Sequence, residues 1–221
     1  MVPVRTLSEV RAFLRGNLAR DRVTLIGFVF VPPNTDTGRQ LLACINEFHY
    51  RFGPDVHFFF AGWSRWVPAE QLPQDATSIA APDGGEPWLY SAELFSRMID
   101  DLGAISKYRW GGGPEFLLVG AYTAGDSVVI DFASSVPLHI DEMLQDHAVT
   151  SIGQLLERIA NEGRRRQQAS IDHFSDINGA KAAATSLMEG VLEALPLHVG
   201  STLLRVFRRT RHYAVRNLAA G

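Results

Sequence analysis

Apolar residues along this chain fall into two rhythms, and the alternation between them predicts the order of elements. Val10, Phe13, Leu14 and Leu18 lie on one helical face behind Ser8, a residue suited to an N-cap. Residues 23–30 follow, β-branched and aromatic almost throughout, which reads as a central strand covered on both faces. Pro32 and Pro33 break that run, and Asn34, Thr35 or Asp36 can cap the next helix. Leu41, Leu42, Ile45, Phe48 and Phe52 then recur at helical spacing until Gly53 and Pro54 stop them. A second apolar run, 56–61, predicts another buried strand. Residues 64–91 are irregular and punctuated by prolines and paired glycines. A stretch that long usually carries function or mobility.

Beyond it, Leu94, Phe95, Met98 and Leu102 predict a helix from about Ala92 to Ile105. Gly111–Gly113 and Pro114 lead into a strand over 115–122, which returns through a turn at 123–126 into a strand over 127–132, an antiparallel hairpin. Val136 and Pro137 precede a helix from about Ile140 to His147. The tail reads as three helices, from Ser151 to around Gly163 or shortly beyond, Ala180 to Leu195 and Ser201 to Leu218. Their stripes, among them Leu155, Ile159, Leu187, Val191, Leu203 and Phe207, are expected to be buried on the body or in a homodimer. The predicted class is α/β, an α+β sandwich: a mixed sheet with helices on both faces and a C-terminal helical extension. The division is 1–150 for the body, with an insertion at about 64–91, and 151–221 for the extension.

This order resembles the thioredoxin fold. In that family a Cys-x-x-Cys pair stands past the first central strand, at the start of a long helix; here Asn34, Thr35, Asp36 and Thr37 occupy the place. The family also carries a cis-proline before the first strand of the closing hairpin, and Pro114 stands at the matching position. The resemblance spans roughly residues 7–148 and implies a cis Gly113–Pro114 bond and a recognition groove between Asn34–Thr37, Pro114 and the insertion. Thiol–disulfide exchange needs an activated thiolate and a second, resolving thiol. Asn34 and Thr37 stand where both sulfurs would be, and Cys44, the single cysteine of the chain, lies inside an apolar helical face. Catalysis by the family's mechanism is excluded.

Composition narrows the remaining classes. With 221 residues, 46% hydrophobic, the chain can bury a substantial core. No apolar run reaches spanning length, and the first residues lack the pattern of a signal peptide, so a cytoplasmic protein, bacterial-like in character, is expected. The net charge of −3 divides unevenly. Residues 1–150 hold 11 Lys and Arg against 18 Asp and Glu; residues 151–221 hold 10 against 6. An acidic body with a basic tail favours docking of the tail on its own body. Arg205, Arg208, Arg209, Arg211 and Arg216 make the last predicted helix basic. Contact with a membrane surface is weighed and not favoured, because the apolar face is modest and lacks Trp. Nucleic acid is not expected of a chain with pI near 6.2.

Nucleotide, hydrolase and zinc-protease motifs are missing, so no cofactor or metal is expected. His139, Glu142 and Asp146 have i, i+3, i+7 spacing and could converge on one helical face, but acidic residues at a helix start are explained by its dipole. Trp63, Trp66 and Trp88 bracket the insertion and serve either as a binding surface or as pins holding it to the body. The expectation is a non-catalytic interaction module with a protein partner or self-association. The rival is an enzyme of unfamiliar motif, using the Asn34–Thr37 turn or the His139 group.

Overall fold

The computed structural model describes residues 2–18, 23–49, 56–65, 71–79, 87–169, 188–189 and 216–220. Strand β1 (Val2–Val4) opens the chain, followed by α1 (Leu7–Asn17), β2 (Thr24–Phe30), α2 (Asp36–His49) and β3 (Val56–Ala61). The insertion supplies β4 (Trp63–Ser64), β5 (Thr77–Ile79) and β6 (Trp88–Tyr90). Then come α3 (Ala92–Ile105), β7 (Glu115–Ala124), β8 (Ser127–His139), α4 (Ile140–Gln145) and α5 (Ile152–Ala169). The main sheet has the order β1-β3-β2-β7-β8. β1 and β2 both pair parallel with β3, while β7 is antiparallel to β2 and to β8. This is a mixed α/β sheet with helices on both faces, broadly thioredoxin-like in topology.

Period-two alternation distributes the core. Leu25 and Val29 of β2, Phe58 and Phe60 of β3, and Phe116 and Leu118 of β7 join Leu41, Ile45, Leu155 and Ile159 of α2 and α5. Ile26, Phe28 and Phe30, with Phe59, Leu117 and Val119, face the other way, onto Val10 and Leu14 of α1 and Met98 and Leu102 of α3. Each central strand is therefore apolar almost throughout because each face has its own cover. Helix ends follow local chemistry. Thr6, two residues earlier than the expected Ser8, caps α1 by accepting from the Glu9 N–H, and the Ser91 hydroxyl accepts from the Leu94 N–H to start α3. Leu155 and Ile159 are buried, as expected; the positions 187, 191, 203 and 207 lie outside the described residues, although Met188 beside them joins the core.

Three sequence expectations change, while α5 runs on past Gly163 to Ala169. A Cβ at Gly163 would stand 2.6 Å from Val56 Cγ2, so the missing side chain serves close approach of helix to sheet. β8 does not stop at Phe132 but continues through Pro137, which pairs with Leu117; β8 borders the sheet, where a missing N–H is tolerated. The insertion is more regular than its prolines suggest, its three strands forming a separate antiparallel sheet in the order β4-β6-β5. Finally, Arg216–Leu218 are not helical. Arg216 bridges to Ser135, where the border of β8 offers unpaired backbone groups, and Ala219 bridges to Ser106 at the end of α3, both antiparallel.

Candidate functional site

β2 finishes at Phe30, opposite Glu115, the first residue of β7, so the start of α2 and the approach to β7 meet at one end of the sheet. Thr35 caps α2: its hydroxyl donates to the Pro32 carbonyl at 2.8 Å and accepts from the Gly38 N–H at 2.9 Å. A Cβ on Gly38 would fall 2.1 Å from that same carbonyl, which fixes a glycine in the first turn. Asn34 and Asp36 are exposed, and Asp36 pairs with Arg39 on the surface. Asp36 is thus no buried acid. Thr37 is buried, and its hydroxyl donates to the Asp141 carboxylate at the start of α4. Pro114 is buried, and its carbonyl accepts from the Ile140 N–H at 3.0 Å. Asn34–Thr37 and Pro114 therefore do share one end of the molecule.

The Gly113–Pro114 bond is trans, since none of the described peptide bonds is cis, and this corrects the expectation drawn from the resemblance. The chain instead reverses at Gly112, whose φ of 89° is left-handed. Trp110 secures the turn, its indole N–H donating to the Gly113 carbonyl at 2.8 Å and its ring lying edge-on to Phe95. Trp63 and Trp88 are buried and pack edge-on against each other and against Phe60. They hold the insertion to the body. Trp66 lies outside the described residues. Cys44 is half-buried against the core and directs its thiol to the Leu41 carbonyl; with one cysteine, a dithiol mechanism within this chain is precluded.

The group over 139–146 does not assemble as its spacing suggested. His139 ends β8 and serves as the N-cap of α4, and Asp146 is its C-cap, so both flank the helix rather than lie within it. Among the described residues, no three His, Cys, Asp or Glu side chains gather to hold a metal. His139 faces Glu115 instead, Nδ1 lying 3.4 Å from Oε2.

Glu115 is the residue that sequence reasoning missed. It is 1% exposed, and among the described residues neither its Oε1 nor the buried Tyr108 hydroxyl has a hydrogen-bond partner of ordinary geometry. The two are nevertheless close enough to influence each other. Burial pushes the Glu115 carboxyl up to about 7, against opposing pulls from Tyr108, the Gly111 N–H and the Arg216 charge. Burial, then the charge of Glu115, pushes Tyr108 far above the phenol range. The signal was present in the sequence: a lone acid opening an otherwise apolar strand, after three glycines and a proline.

Comparison with protein-family models, with curated proteins and with solved structures finds no match to this chain. The topology and these residues carry the functional reading.

Proposed function

We propose that this chain is a redox-inactive, thioredoxin-like interaction module, a binding or assembly component whose contact surface is the sheet end formed by Asn34–Thr37, the 111–113 turn and Pro114. The observation that carries it is the joining of two elements by the Thr37–Asp141 bond at the place where the resembling family keeps its thiols. A surface preorganised in this way costs little to order on binding. Exposed Asn34, Asp36 and Gly111–Gly113 supply contact there, Thr35 and Thr37 fix the turn, and Trp63 and Trp88 brace the insertion beside it. A cytoplasmic setting and a protein partner, which includes a second copy, belong to the same proposal.

The test is affinity capture from a native extract with three baits: wild type, Asn34→Arg/Asp36→Arg, and Asp126→Arg at the opposite end of the sheet. A partner held by wild type and Asp126→Arg but lost from the double variant supports the reading. Equal capture by all three baits overturns it. A second reading rests on the Glu115–His139 pair, since a buried carboxyl beside a partly exposed imidazole is an arrangement suited to proton transfer. A turnover abolished by His139→Gln and untouched by Asn34→Arg/Asp36→Arg selects it.

A further inference from the structure

The border of β8 is already paired, and its occupant is the segment 216–219. Arg216 N–H donates to the Ser135 carbonyl at 2.7 Å, and Ser135 N–H donates back to the Arg216 carbonyl at 2.9 Å. Leu218 N–H donates to the Phe132 carbonyl at 2.8 Å, and Lys107 N–H, just beyond α3, donates to the Leu218 carbonyl at 2.7 Å. The segment is thus held by isolated antiparallel bridges from two elements. Its side chains meet different surroundings. Arg216 lies near enough to Glu115 for its charge to act on that carboxyl, while Leu218 packs against the cluster that contains Phe132 and Tyr108. Backbone pairing supplies affinity in such an arrangement, and alternate side-chain positions supply selectivity.

We propose that the β8 border between Phe132 and Ser135 is a recognition site for an extended peptide with a basic residue followed two positions later by leucine, and that Arg216–Ala219 holds it in cis as a displaceable stand-in. The partner is a protein segment of the same basic-x-leucine chemistry. This surface is separate from the Asn34–Thr37 turn and does not depend on the reading of that turn. A site filled by a tethered competitor binds an outside peptide more weakly by the fraction of time it stands open.

The probe is a fluorescein-labelled synthetic peptide of residues 213–221, titrated by anisotropy into the full-length chain and into full-length Leu218→Pro. That substitution deletes one of the four backbone hydrogen bonds and the apolar anchor. The peptide is expected to bind Leu218→Pro at least about tenfold more tightly than wild type. A peptide carrying Arg216→Glu should lose about tenfold on the same chain. Amide exchange supplies the second measurement: Ser135 and Lys107 should exchange faster in Leu218→Pro and recover protection when the peptide is added. Amides of β7 report whether the variant is folded, and Leu218→Ala replaces it if they lose protection. Equal binding to wild type and to the folded variant, or no binding to the folded variant, overturns the proposal.

Discussion

A carboxyl that is 1% exposed and titrates near 7 ties the stability of this chain to pH through one residue, Glu115. Its pKa in the fold lies above the ordinary value of 4.5, so the folded chain holds this proton longer than the unfolded one. The Glu115 contribution is therefore most favourable below about 4.5, is lost as pH rises through about 7, and is constant above that. A shift of this size corresponds to roughly 3 kcal/mol. Urea denaturation of Glu115→Gln across that interval should show a flatter pH dependence than wild type and higher stability at pH 8. Parallel profiles for the two proteins would mean that the carboxyl is not strained in the fold. Ser91 offers a simpler residue-scale test. Its hydroxyl caps α3 and donates to Asp75 at 2.6 Å, the bond that does most to draw the Asp75 carboxyl below its usual range. Ser91→Ala should cost about 1 kcal/mol in chemical denaturation.

At the scale of elements, α5 sits on the sheet by virtue of Gly163, against Val56 and Leu25. Gly163→Ala should therefore destabilise by about 1–3 kcal/mol, although alanine is the better helix former. A rise in melting temperature on this substitution would show that the helix can lift without loss. Elements with one strong rhythm were legible in the sequence: β2, β3 and α3 are pure runs or pure stripes, and each lies where its pattern predicts. β1 was not legible, because three residues that include Pro3 have no rhythm and become a strand only through pairing with Phe59–Ala61. Pro137 hid the second half of β8, since proline reads as a break unless the strand is known to border a sheet. Arg216 and Leu218 close a run, 201–218, that reads as helical, yet the backbone groups of Phe132 and Ser135 decide their conformation; tertiary pairing overrode the local pattern. Asn34–Thr37 and Pro114 could be placed together from element order alone. The Glu115–His139 contact could not, because it depends on the register between β7 and β8.

For the molecule as a whole, the single cysteine leads to a plain expectation: in an insulin-reduction assay with dithiothreitol, the chain should show no turnover above a Cys44→Ser control. Activity above that control would contradict the assignment of Cys44 to the core. The sheet order has a consequence for how the chain is made. β2, at the centre, is synthesised early, yet one of its neighbours, β7, starts at residue 115, and the last border is covered only by residues 216–219. Pairing across such sequence distances is slow to form. A growing chain must therefore carry an apolar central strand without its second neighbour until residue 115 and beyond, and it covers the border of β8 only when residues 216–219 have been added. Shortening the chain by its last six residues should thus leave the emerging protein sticky at one flank, with a rising share of insoluble product as expression is driven faster.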